Sequence, residues 1–215
     1  MGTLFSVPGA LFAAAGARFS ILGPPPIEPV ARVDLQRYAG RWYQIGLMRN
    51  SFQRGGSHNV TATYTYNPSL PGLDILNESM SGDERSWIRG VAIRDPEARG
   101  DDDMSARLLV TFTPNETAPL VFPMGSPYWI VQLGNDLDYG YAVVSDPDRR
   151  HLWILSRTFP IDPSNLGTIL WRLVHEQGFD PERLSAIEWT IQETAPLAYG
   201  PVPSAPPQGV TPGGP

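Results

Sequence analysis

The chain has 215 residues, a formal net charge of -6 and a hydrophobic fraction of 41%, so it is long enough to bury one sizeable core. All 16 of its basic residues are arginines and it has no cysteine, which excludes disulfides, thiolate nucleophiles and zinc–thiolate sites. The acidic charge balance argues against a nucleic-acid partner.

Composition divides the chain into three parts. Residues 1–29 form an apolar segment followed by a proline-rich spacer, and residues 194–215 are rich in proline and glycine. The proline-rich spacer and the tail 194–215 contain few side chains that can be buried, so we predict that both are extended or disordered. The folded domain is expected over residues 30–193.

The apolar N-terminal segment has three readings. Gly2 after Met1, with Ser6, fits the pattern for N-myristoylation, and the small residues from Ala15 to Ala17 fit a signal-peptide cleavage site. The first reading lacks a nearby basic patch and the second lacks a basic n-region. The third reading is an uncleaved segment that packs on the domain or lies on a membrane. We expect a membrane-associated or secreted, extracytoplasmic protein, with the N-terminus as the contact to a membrane surface.

The central part alternates apolar and polar residues with a period of two, which predicts β-strands. In HNVTATYTY, Val60, Ala62, Tyr64 and Tyr66 share one face. The other predicted strands are WYQIGLM, LDILNES, SWIRGVAI, SARLLVTFT, SPYWIVQLG, YGYAVVSD and HLWILSRT. Short turn-forming spacers favour antiparallel neighbours, and eight such strands most simply close into an up-and-down barrel.

One amphipathic helix follows the strands. Asp162 can cap it, Pro163 suits its first position and Gly178 fits its exit. Its apolar stripe should lie against the barrel wall and consists of Leu166, Ile169, Leu170, Leu173 and Val174. Beyond it, DPERL predicts a second short helical turn and SAIEWTIQE a final short strand.

Six ordered blocks resemble the lipocalin family, particularly its bacterial lipocalin and apolipoprotein D branch. They are DLQRYAGRWYQI, SFQRG with NVTATY, PYWIVQL, Asp138-Tyr139, LWILSRT and EQGFDPERL. The resemblance implies an all-β fold: an eight-stranded antiparallel up-and-down barrel with one C-terminal α-helix packed on the outside. It also implies a calyx that is open at one end and holds a hydrophobic small molecule.

The resemblance further implies how the closed end is built. In the family an arginine of the last strand stacks over the tryptophan of the first, which pairs Arg157 with Trp42 here. An arginine over a desolvated indole gains about 2 kcal/mol. Gly40 then provides room at the crowded base.

With Arg157 at the closed end, period two turns Leu155, Trp153 and His151 inward as well. The predicted ligand-binding residues are Phe52, Val60, Ala62, Tyr64, Ile75, Trp87, Leu108, Val110, Phe112, Trp129, Tyr141, Trp153 and Leu155. This aromatic interior suits acyl chains or ring systems, with tyrosine hydroxyls and Asn77 positioning a polar head. The alternative is that the same side chains fill the barrel and leave no cavity.

The sequence therefore predicts a noncatalytic protein that binds, transports or scavenges a fatty acid, lysophospholipid or similar ligand. The alternative function is a structural or interaction protein that uses the barrel as a scaffold. No cofactor or metal is expected, because His58, His151 and His175 lack metal-ligand spacing and the acidic run 101–103 lacks that of a calcium loop. Three glycosylation sequons begin at Asn59, Asn77 and Asn115 and matter only in a secretory pathway.

Overall fold

A computed structural model of the chain describes residues 24, 27–50, 53, 55–98, 104–113, 125–134, 137 and 139–193. These contain a short helix α1 (Leu35–Tyr38), the main helix α2 (Pro163–His175) and a short helix α3 (Pro181–Ser185). The strands are β1 (Gly40–Leu47), β2 (His58–Asn67), β3 (Gly72–Ser81), β4 (Glu84–Arg94), β5 (Arg107–Thr113), β6 (Ser126–Leu133), β7 (Tyr141–Ser145), β8 (Leu152–Ser156) and β9 (Glu188–Trp189). A single 3₁₀ turn, Pro96–Ala98, lies between β4 and β5.

The first eight strands close into a barrel. Their order is β2-β3-β4-β5-β6-β7-β8-β1, every neighbouring pair is antiparallel, and pairing of β1 with β2 completes the ring. The ninth strand pairs with β1 outside this ring. The predicted fold class, an eight-stranded antiparallel up-and-down barrel with a C-terminal helix, is confirmed.

Buried apolar side chains form two clusters, one on each side of the barrel wall. The inner cluster lies inside the barrel and includes Trp42, Tyr64 and Leu155. The outer cluster joins the wall to the helices and includes Ile154 and Leu173. Adjacent residues such as Ile154 and Leu155 belong to different clusters because successive side chains of a strand point to opposite faces.

Helix α2 packs on the outside of the barrel, as predicted. The carboxylate of Asp162 accepts the Ser164 N–H at 2.7 Å and so caps the first turn. Two buried glutamines bind the helix to the wall, since Gln132 Nε2 donates to the Ile169 carbonyl at 3.1 Å and to Gln177 Oε1 at 3.0 Å. The helix is thus fixed by hydrogen bonds as well as by its apolar stripe.

Helix α1 was not expected from the sequence. It has only four residues and is capped by Asp34, whose Oδ1 accepts the Gln36 N–H at 2.9 Å and the Arg37 N–H at 3.3 Å. Its two buried side chains, Leu35 and Tyr38, belong to the inner cluster. It therefore covers one end of the barrel, which we call the closed end.

The segment after α3 joins β1 to β2 where these strands separate. Direct β1–β2 pairing covers only Gly40 to Tyr43. Beyond it, Gln192 Nε2 donates to the carbonyls of Gln44 at 3.0 Å and Val60 at 2.7 Å, one on each strand. Regular pairing in β9 is limited to Glu188–Trp189, shorter than the predicted SAIEWTIQE strand. Beyond it, the Thr190 N–H donates to the Ile45 carbonyl at 2.9 Å and the Asn59 N–H donates to the Ile191 carbonyl at 2.8 Å.

Candidate functional site

The closed end is built around Trp42, which is fully buried. Its Nε1 donates to the Tyr38 carbonyl at 2.9 Å. The Arg157 guanidinium carbon lies 3.8 Å from the centroid of the Trp42 ring. This is the stacking that the family resemblance implied for these two residues.

The same guanidinium collects the backbone carbonyls that lead from α1 into β1. Arg157 Nη2 donates to the carbonyls of Arg37 at 2.8 Å, Tyr38 at 3.2 Å and Ala39 at 2.8 Å. A Cβ at Gly40 would lie 3.0 Å from Arg157 Nη1, and Gly40 has a φ of +103°. Glycine is needed there for both the space and the backbone conformation.

Most of the predicted ligand-binding residues lie on the inward face. Trp153 packs against the inner cluster. Six others belong to that cluster, namely Ala62, Tyr64, Ile75, Leu108, Val110 and Leu155. Val60 is buried in β2. Phe112 also points inward. Its cross-strand partner Gly90 lies two residues before Ala92 on β4, and Ala92 belongs to the inner cluster, so Gly90 and Phe112 lie on the inward face.

Three predicted residues lie on the outer face instead. Trp129 and Tyr141 pack in or against the outer cluster with helix α2, so their inward neighbours are Ile130 and Ala142. Trp87 is paired across the strands with Glu78, on the face opposite to the inward Asn77–Ile88 pair. The inward assignment of Trp87, Trp129 and Tyr141 is therefore corrected.

The mouth of the barrel, opposite the closed end, keeps accessible apolar surface on its inward face. Ile88 is 40% exposed and Phe112 is 43% exposed. The His151 ring stacks on Trp153 with centroids 5.9 Å apart, and its Nδ1 lies 2.9 Å from Asp146 Oδ2. The interior is thus sealed and apolar at one end and accessible at the other.

A chain of three tyrosine hydroxyls crosses the floor of this interior. The Tyr128 hydroxyl lies 2.8 Å from that of Tyr38 and 2.9 Å from that of Tyr64. Burial raises the pKa of Tyr38 and Tyr128 well above the ordinary tyrosine value and that of Tyr64 to about 12. All three phenols are therefore neutral at physiological pH.

Sequence reasoning missed Tyr38 and Tyr128 as part of this interior. The alternation in SPYWIVQL allows two registers. In a regular strand with the polar Gln132 on the outer face, Tyr128 would also face outward and Trp129 would face inward. A β-bulge between Ile130 and Gln132 reverses that alternation. Tyr38 lies in no β-strand, so the alternation of residues does not indicate its direction. Only its position just before the G-x-W block marks it.

Several predicted features lie outside the described residues. They are the ligand-binding Phe52, the lipidation site Gly2, the sequon at Asn115 and the acidic run 101–103. Within the described residues, no group of three or more acidic or histidine side chains is placed to hold a metal ion. None of the helices in that part of the chain has the length and apolar character to cross a bilayer.

A barrel sealed at one end by a stacked tryptophan and arginine, with an accessible apolar interior, defines a calyx-type binding protein. A family model described as a lipocalin-like domain matches residues 33–189. The chain belongs to the lipocalin family, whose members bind small hydrophobic ligands and are generally non-catalytic.

Known proteins of the same kind are similar over most of their length. Temperature-induced lipocalin-1 of Arabidopsis thaliana is 33% identical, covering 74% of this chain and 80% of that protein. The outer membrane lipoprotein Blc of Vibrio cholerae is 29% identical, covering 77% and 88%. The structure of insecticyanin from the tobacco hornworm Manduca sexta superposes with a TM-score of 0.59 at 18% identity, covering 78% and 85%.

Replacing Arg157 tests the closed end. We expect Arg157→Ala to lower the free energy of unfolding by about 1–3 kcal/mol, because it removes the cation–π contact and the donor to the carbonyls of Arg37 and Ala39. Thermal melting measures the loss. Arg172→Ala is the matched control, since Arg172 lies on helix α2 in a partly exposed pair with Glu176. Equal melting of the Arg157 variant and the wild type would contradict this role.

Alkaline titration tests the tyrosine chain. In the native protein, part of the phenolate absorbance should appear only near pH 12, whereas the denatured chain should titrate near 10. The unfolded chain releases these protons first, so the native state should lose stability as pH rises from about 10 to about 12. Coinciding native and denatured curves would show that the three hydroxyls are not desolvated.

Proposed function

We propose that this lipocalin binds and carries or scavenges an apolar metabolite, such as a fatty acid, a lysophospholipid or a related lipid, in its calyx. The observation that carries the proposal is the contrast between the two ends of the interior. The floor is closed by Trp42 and the tyrosine chain, whereas inward side chains at the mouth remain accessible. An apolar surface of this kind, rimmed by a few polar groups, favours a ligand with a long or ring-shaped hydrocarbon part.

Accessible inward residues also favour an open cavity over a filled barrel. In a filled barrel, the apolar residues of the inward face would exclude each other from solvent. Here Trp153 and Tyr128 both point inward and both keep partial exposure. Asn77 Oδ1, on the same face, is buried without a hydrogen-bond partner among the described residues, which offers an acceptor to a ligand.

Trp153 is the side chain that best reports on the ligand. Quenching of tryptophan fluorescence by a panel of lipids should saturate in the wild type, and native mass spectrometry should show lipid bound to the purified protein. Trp153→Ala should weaken binding about tenfold or more, because about 1.5–3 kcal/mol of apolar contact is lost. Trp171→Ala, on the exposed face of α2, is the matched control and should bind normally.

Each outcome of this experiment bears on one part of the proposal. No copurifying lipid and no saturable quench at micromolar concentrations would overturn ligand binding and favour a scaffold protein. Normal binding by a folded Trp153→Ala variant would instead remove Trp153 from the ligand site. Loss of folding would show that Trp153 supports the core rather than the cavity.

We further propose that the protein works at a membrane or outside the cytoplasm. The similar Vibrio cholerae protein is named an outer membrane lipoprotein. The apolar residues 1–23 and the proline-rich spacer that follows suit a short tether that holds a calyx away from a bilayer.

Intact mass of the protein from its native host tests this location. An added myristoyl group on Gly2 supports an acyl anchor, and a chain that starts at Arg18 supports export. An unmodified N-terminus in a soluble cell fraction would overturn both.

A further inference from the structure

The floor of the calyx carries a hydroxyl proton that the protein itself does not use. Tyr38, Tyr64 and Tyr128 have three O–H donors but make only two hydrogen bonds with one another. No other hydrogen bond joins their hydroxyls to any described residue. Each O–H serves one hydrogen bond, so one of the three donors is left over.

Burial decides which tyrosine holds the unused donor. Tyr38 is 0% exposed and Tyr64 is 5% exposed, and the only described partner of each hydroxyl is Tyr128. An unsatisfied buried donor is costly, so both donate to the Tyr128 oxygen, which has two lone pairs to accept them. The proton of Tyr128 is then directed away from both.

The Tyr128 side chain reaches the inside of the barrel. It precedes the inner-cluster residue Ile130 by two positions, and its cross-strand partner is the fully buried, inward Leu108. Unlike its two partners, Tyr128 keeps part of its surface accessible. Because the Tyr128 ring lies on the inward face, its unused O–H lies inside the barrel.

We propose that the Tyr128 hydroxyl is the polar anchor of the ligand site and donates to an uncharged acceptor oxygen, as in a ketone, aldehyde or ester. The ligand enters with this oxygen first and leaves its hydrocarbon part toward Trp153 and the mouth. The inference rests on the proposed function, which it narrows from apolar metabolites in general to amphiphiles with a neutral oxygen head.

The surroundings disfavour a charged head at this position. Trp42 and Leu108 are 0% exposed and line the same floor. A carboxylate placed there would lose its hydration and gain only one phenolic donor, whereas a carbonyl loses far less. Burial, which raises the pKa of all three tyrosines, acts in the same direction, because it disfavours any anion at the floor.

Three ligands of equal chain length test the proposal on the wild-type protein. They are a long-chain methyl ketone, the alkane with the same number of carbons, and the corresponding fatty acid as its anion at neutral pH. Calorimetry should show the ketone bound about tenfold more tightly than the alkane, which is the worth of one hydrogen bond to a buried donor. The anion should bind more weakly than the ketone.

The variant Tyr128→Phe should abolish the preference for the ketone over the alkane while leaving alkane affinity nearly unchanged. The infrared stretch of the bound ketone carbonyl should lie at lower frequency in the wild type than in this variant, which reports the hydrogen bond directly. Tyr43→Phe is the matched control, because Tyr43 lies against the outer cluster. It should keep the full preference.

The outcomes separate the inference from the proposed function. If all three ligands bind with no preference for the ketone, or if the Tyr128→Phe variant keeps that preference, the anchor is overturned and ligand binding stands. Tighter binding of the anion would overturn the neutral head. If none of the three ligands binds the wild-type protein, both the anchor and the calyx function fail. Should the Tyr128→Phe variant not fold, the comparison of the three ligands on the wild type still decides, together with the carbonyl stretch of the ketone bound to the wild type against that of the ketone in a hydrocarbon solvent.

Discussion

The contact between Arg157 and Trp42 fixes the closed end, and the rest of the interior depends on it. The chain leaves α1 and enters β1 with the carbonyls of Arg37, Tyr38 and Ala39 turned toward one point, and Arg157 donates to all three. A planar guanidinium can do this while its face covers an indole, which an ammonium group cannot. The same contact holds the backbone of Tyr38, whose carbonyl accepts the Trp42 N–H and whose hydroxyl begins the tyrosine chain. The seal of the barrel and the polar group on its floor are thus parts of one hydrogen-bonded unit.

Where the strand ladder is interrupted, buried glutamines replace its hydrogen bonds. Gln192 joins β1 to β2 beyond the point where they separate. At the bulge of β6, Gln177 Nε2 donates to the carbonyl of Val131, the residue left out of the β6–β7 register. A primary amide suits both places, because it offers two donors on a flexible stem. A buried carbonyl without a donor would cost about 1–3 kcal/mol.

The strands, their order and the main helix were predictable from the sequence because each depends on local period and turn chemistry. The directions of individual side chains were harder to predict. A single bulge reverses the faces of β6, and no count of alternating residues shows where a bulge lies. Strand β7 is buried on both sides, so polarity gives no sign that Tyr141 points out and Ala142 points in. Trp87 is large and apolar, but Arg89 lies over its ring at 5.6 Å on the outer face. The tyrosine chain could not be predicted from the sequence, because Tyr128 is separated from Tyr64 by 64 positions and from Tyr38 by 90 positions.

The outer face of the barrel wall supports the fold, and the inward face carries the proposed ligand site. Stability and ligand selectivity therefore depend largely on different residues. The outer cluster is buried between the wall and helix α2, and Gln132 of the wall donates to the Ile169 carbonyl of that helix, so a smaller side chain there leaves a cavity. The inward residues near the mouth, such as Ile88 and Phe112, are already partly exposed, so changing them costs little burial. In the proposed ligand pose, substitution at the mouth therefore alters which hydrocarbon part fits without unfolding the barrel. The floor has no such freedom, because Tyr38 connects the hydroxyl chain to the Arg157 seal. If Tyr128 holds the ligand head as we propose, head-group selectivity is tied to the stability of the closed end, whereas selectivity for the hydrocarbon part is not.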